Sequence, residues 1–137
     1  MQQCLFCKIA GKEISSHVVY ENAEVFAFLD IHPCALGHTV VVPKQHAENI
    51  LELSGDETAA FFRGVQLAVR RVDEVLSPAG FTLGINHGRV SGQAIDHLHL
   101  HIIPRYAGDG GGSLHTIVQT ESIEPIEAVA AKFSAAG

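Results

Sequence analysis

Three histidines, His97, His99 and His101, alternate with Leu98, Leu100 and Ile102 ahead of Ile103. In a strand, period two turns all three rings to one side and the aliphatic side chains to the other, whereas a helix would splay the rings apart. Rings at alternate strand positions sit roughly 6.6–6.8 Å apart and can line a groove. There one imidazole can attack, a second can move a proton and a third can orient its neighbour. Imidazole titrates at about pH 6.5, so each ring can change role near neutrality. The other readings of such a run are a polar strand face and a plain His-rich metal site.

Other residues carry weaker chemical signals. Cys4 and Cys7 have the spacing by which two thiolates grip one zinc, although a lone pair supplies half of a tetrahedral site. The rival is a redox pair, which belongs at the head of a helix in a βαβ context that this sequence lacks. Asp30 closes an apolar run where a carboxylate can accept two vicinal hydroxyls, and Asn86 and Gln93 offer amide donors around a glycine-rich loop. Each has a plainer use: Asp30 as a turn cap, Asn86 and Gln93 as braces of the loop backbone, Phe28 as core.

These residues need elements to position them. Residues 18–20 and 25–29 read as strands around a polar turn, 39–42 as a buried strand stopped by Pro43, 81–85 as a fourth strand and 96–104 as a fifth. Ser54 and Glu57 fit a capping box, followed at helical spacing by Phe61, Phe62, Val65, Ala68, Val69, Val72 and Leu76. A short helix is expected over 124–133. The order predicts an α+β fold: a five-stranded, mainly antiparallel sheet with one long helix and a short C-terminal helix. At 137 residues the chain suits a single domain over 1–137, with a loosely anchored C-terminal segment from about residue 107.

Nine Lys and Arg against 15 Asp and Glu give a formal charge of -6. No basic run supplies the field that a nucleic-acid backbone demands, so a polynucleotide partner is not expected. Backbone N–H groups and a few side chains can still hold a small phosphorylated ligand. The N-terminus has no secretory pattern and no stretch is apolar enough to span a membrane, so a cytoplasmic protein is expected. Three cysteines, at positions 4, 7 and 34, make a disulfide framework improbable in such a compartment.

The histidine run matches at every position the motif His-φ-His-φ-His-φ-φ, φ being apolar, and the chain resembles the histidine-triad (HIT) nucleotide hydrolases and transferases. The likeness extends to residues 4–9, 28–31, 37–46, 91–93 and 103–105, and is greatest to the short bacterial branch. It implies that His99 attacks the α-phosphorus of a purine nucleotide derivative, a phosphoramidate or dinucleoside polyphosphate, to form a transient nucleotidyl-histidine. His101 then assists the leaving group and the water, with His97 as third member of the set. The resemblance places Asn86 and Gln93 at the phosphate, Asp30 at the ribose, and Phe6, Ile9, Phe28 and Ile31 around the base. It completes a structural zinc site from Cys4, Cys7, His46 and His97, with no organic cofactor, and implies a homodimer. Where several branches carry a hydroxyl residue after the Gly-Gln pair, this chain has Ala94, which removes one donor from the phosphate. Two other functions fit the sequence: a nucleotide-binding regulatory module, and a hydrolase whose three histidines hold a catalytic zinc.

Overall fold

Asn22 reverses the chain between the first two strands, Val18–Glu21 (β1) and Val25–Leu29 (β2): its Oδ1 accepts the backbone N–H groups of Glu24 and Val25 at 2.8 and 2.9 Å. This is the turn-forming use of an Asx side chain. The computed structural model describes residues 3–121 and 123–137. Thr39–Pro43 (β3) pairs antiparallel with β2, Phe26 opposite Val42 and Phe28 opposite Val40, and every β3 residue is buried. Gly80–Ile85 (β4) and Leu100–Arg105 (β5) complete a five-stranded sheet in the order β1-β2-β3-β5-β4, with every pairing antiparallel.

The sheet is covered on both faces. Besides a short N-terminal helix, Leu5–Ala10 (α1), the chain forms one long helix, Gly55–Leu76 (α2). The Ser54 hydroxyl accepts from the Glu57 N–H and the Glu57 carboxylate from the Ser54 N–H, at 3.1 and 2.8 Å, which closes the capping box. Phe61, Val65 and Ala68 of α2 pack on Val25, Ala27, Val41, Leu98, Leu100 and Ile102. On the other face Phe6 and Ile9 of α1 pack on Phe26, Phe28, Val40 and Val42. No helix among the described residues is long and apolar enough to cross a membrane.

Three expectations are corrected. Residues 5–10, for which no helix was expected, form α1, whose first turn Cys4 caps by accepting the Cys7 N–H. The C-terminal helix is Ile126–Ala136 (α3), shifted from the expected 124–133, with Pro125 at its N-terminal boundary. The fifth strand joins the ladder at Leu100, not at residue 96. Pro43 has no N–H to offer there, its carbonyl takes the ring of His97 at 2.9 Å, and the Leu98 N–H turns to Ala47 O. Alternation survives nonetheless, because Leu98, Leu100 and Ile102 share one core.

Candidate active site

At the start of β5 the rings of the triad separate by role. His97 is fully buried, and its Nε2–H donates to the Pro43 carbonyl at 2.9 Å, so its Nδ1 carries the lone pair. That Nδ1 lies 3.3 Å from Cys4 Sγ, 3.5 Å from Cys7 Sγ and 3.2 Å from His46 Nδ1, and Cys7 Sγ lies 3.3 Å from His46 Nδ1. Burial, first of all, lowers the His97 pKa to about 4 and keeps the ring neutral, as a ligand requires. Two sulfurs and two nitrogens thus converge within 4.8 Å of one another. The edges of a tetrahedron with zinc–sulfur bonds of about 2.3 Å and zinc–nitrogen bonds of about 2.0–2.1 Å are roughly 3.3–3.8 Å long, so the donor set fits that ion. The Pro43 carbonyl supplies the outer hydrogen bond that fixes a ligating imidazole.

With both nitrogens turned away from the groove, His97 offers no ring atom to a substrate and is left the orienting place in the set. It acts on the groove through its carbonyl, which accepts the Nδ1–H of His99 at 2.7 Å. A carbonyl cannot donate, so the proton sits on Nδ1 and the Nε2 of His99 is bare. Phe6 stands edge-on against the His99 ring, with centroids 4.9 Å apart, and holds its plane.

His101 is fixed from the other side by a residue to which spacing assigned no role. The Cys34 N–H donates to His38 Nδ1 at 3.2 Å, so neutral His38 carries its proton on Nε2. That Nε2 lies 2.9 Å from His101 Nδ1 and 3.5 Å from Asp30 Oδ2. His38 therefore donates to His101, whose own proton is left on Nε2. Burial leads the causes that lower the pKa of both rings, His101 to about 4 with help from His99 and His38, while Asp30 pulls upward. Asp30, His38 and His101 also cluster closely enough to suggest a second cation site. The proton on His38 Nε2 occupies the very atom a metal would need, and a hydrogen-bonded chain accounts for the cluster instead.

The remaining expected residues divide. One residue beyond the Ile85–Leu100 pair, Asn86 stands in line with His99 across the ladder. Gln93 does not reach outward: its Nε2 donates to Glu48 O and Ile95 O, and its Oε1 accepts the Gly88 N–H. Both amide hydrogens are spent on the loop backbone, the bracing use open to Gln93 besides that of phosphate donor. Phe6, Ile9 and Phe28 belong to the packed layer under α1, whereas Ile31 is 80% exposed. The missed residue, His38, immediately precedes β3; only the pairing of β3 with β5 shows that its ring meets His101.

The family model described as HIT domain matches residues 11–108. An uncharacterized HIT-like protein of Methanocaldococcus jannaschii is 51% identical over 110 residues, covering 78% of this chain and 82% of the relative. The adenosine 5'-monophosphoramidase hnt1 of Schizosaccharomyces pombe is 40% identical over 102 residues, 74% of each chain. The crystal structure of a HIT-family protein from Bacillus subtilis superposes with a TM-score of 0.82 at 35% identity, covering 96% of this chain and 95% of that one.

Proposed function

This chain belongs to the HIT family, and from that membership we propose that it is a nucleotide hydrolase acting at the α-phosphorus of a purine nucleotide derivative, a phosphoramidate or a dinucleoside polyphosphate. The carrying observation is the bare Nε2 of His99, set by the 2.7 Å bond from its Nδ1–H to the His97 carbonyl. A relative that is an adenosine 5'-monophosphoramidase supports the same chemistry.

In the first step a bond forms from His99 Nε2 to phosphorus as the bond from phosphorus to the leaving nitrogen or oxygen breaks. The phosphate anion and Asp30 favour the imidazolium form of His101 in the complex, against the burial that keeps it neutral in the free protein, and His38 then turns its Nε2–H from His101 Nδ1 to Asp30 Oδ2, 3.5 Å away. His101 gives its Nε2 proton to the leaving atom and recovers one from the water that next attacks phosphorus and releases His99. Asn86 donates to the phosphate, Asp30 accepts the ribose hydroxyls, and the base rests on Ile31 at the margin of the Phe6, Ile9 and Phe28 layer. Cys4, Cys7, His46 and His97 would hold a structural zinc ion, which when bound supplies a rigid joint between α1 and the active strand. The reading includes a homodimer in which the sheets of two subunits join around the long helices, in a reducing cytoplasm that keeps the cysteine pair from forming a disulfide.

Ala94 and the committed amide of Gln93 leave fewer phosphate donors and favour one second reading, a nucleotide-binding module with incidental turnover. Hydrolysis of adenosine 5'-phosphoramidate by wild type and His99→Ala, with and without chelator and with metal content assayed, tests all of these. The expected result is zinc in the purified protein, chelator-resistant turnover, and a loss of at least about a thousandfold in His99→Ala. Turnover within tenfold of wild type in His99→Ala overturns the nucleophile. AMP binding without turnover of any phosphoramidate or dinucleoside polyphosphate supports the module.

A further inference from the structure

The face of β5 that carries His99 and His101 continues to Ile103. The register pairs Gly84 with His101 and Thr82 with Ile103, and one such step along a strand is about 6.6–6.8 Å. A methyl group placed on Gly84 would meet no atom within 4 Å, so the floor between the two pairs is clear. Immediately beyond lies a hollow of about 430 Å³, lined among others by Leu36, Thr82, Ile103, Leu114 and Ile117. Its Cys34 wall is the residue whose N–H sets the tautomer of His38, and through it His101. We propose that this hollow is the leaving-group subsite, and that it selects nucleoside phosphates whose leaving group is apolar; the proposal rests on the hydrolase reading above.

Charge decides between the candidate substrates. Arg105 is the one cationic residue among those lining the hollow. Its Nε and Nη2 donate to the two carboxylate oxygens of Asp109 at 2.7 and 3.1 Å, and its Nη1 to Gly112 O and Thr82 Oγ1 at 2.7 and 3.1 Å. The guanidinium is neutralised by a bidentate partner and serves to clamp the glycine-rich loop. Further phosphates of a dinucleoside polyphosphate would leave the triad for a space with no free positive charge. An alkyl group on a phosphoramidate nitrogen would exchange water for Ile103, Leu114 and Ile117.

The test compares adenosine 5'-phosphoramidates bearing methylamine and hexylamine, together with diadenosine tetraphosphate, in wild type, Leu114→Asp and Ile117→Asp. Both replaced side chains are exposed, at 56% and 75%, so the fold survives the change. Five half-buried methylene groups correspond to a preference for hexyl over methyl of about thirtyfold in kcat/KM. Each variant should reduce that ratio at least about fivefold. Equal use of the two amides, a ratio unchanged in both variants, or diadenosine tetraphosphate as the best substrate overturns the proposal. If nothing is turned over, the hydrolase reading fails by itself. The subsite is then judged by calorimetry with 5'-O-(N-hexylsulfamoyl)adenosine against its N-methyl analogue: tighter hexyl binding that Ile117→Asp abolishes upholds it, and equal binding refutes it.

Discussion

Two backbone groups decide the chemistry of the two reacting rings: the His97 carbonyl fixes the tautomer of His99, and the Cys34 N–H, acting through His38, fixes that of His101. Neither ring needs an unusual partner; each needs a neighbour whose donor or acceptor character cannot change. Burial of His101 carries a measurable consequence. Its folded pKa of about 4 lies below the ordinary imidazole value of about 6.5, so the unfolded chain takes up the proton first as pH falls. The stability this ring contributes is complete above about pH 6.5 and is lost as pH drops toward 4, with a slope of at most about 1.4 kcal/mol per pH unit. Urea unfolding at pH 7 and pH 5 should show His101→Asn losing less stability than wild type between the two, by on the order of 1–2 kcal/mol. Because both proteins carry the same cysteine–histidine cluster, the difference reports His101; identical losses would mean that His101 does not take up its proton on unfolding.

At the scale of elements, the site depends on how closely α2 lies on the sheet. A Cβ on Gly64 would stand 2.5 Å from both γ-methyl groups of Val25 at the start of β2. Alanine normally stabilises a helix interior by about 1 kcal/mol over glycine, but here the overlap reverses the sign. Gly64→Ala should destabilise the protein by about 1–3 kcal/mol in urea, and adding Val25→Ala should recover part of that loss. A Gly64→Ala protein more stable than wild type would show that α2 can lift away without cost. The same register that seats Gly64 explains what the amino-acid sequence could and could not reveal. Strands β1 to β4 and the capped helix α2 were legible because each carries its own periodicity or its own cap. Six residues of α1 are too few to show a helical period, and their order comes from Cys4 capping the first turn and Phe6 packing on His99. The late start of β5 was hidden because Pro43 acts on it from another strand. His38 escaped notice for the same reason: the ring it meets lies 63 residues away.

Across the whole molecule, the two ends of the chain stand in opposite relations to the sheet. The N-terminal end is drawn into it: Cys4 and Cys7 approach His46 and His97, and Phe6 and Ile9 are buried against the central strands. The C-terminal end is laid over one edge. The Arg105–Asp109 pair clamps the loop that leads to Leu114 and Ile117, and beyond it no described residue of α3 is buried, with Ile126 and Phe133 both more than three-quarters exposed. A segment that hides no apolar surface contributes little to folding free energy, however regular its helix. Ending the chain after Val118 keeps the hollow beside His101 and removes α3. The thermal midpoint should then stay within about 2 °C of the full chain, since 1 kcal/mol moves a domain of this size by several degrees. The hexyl-to-methyl preference should survive as well, because Leu114 and Ile117 remain. A fall of more than about 5 °C, larger at low protein concentration, would show instead that the exposed face of α3 packs on a second copy of the chain. In that event loss of the hexyl preference would assign part of the leaving-group wall to the partner, whereas its retention would leave the wall within one subunit.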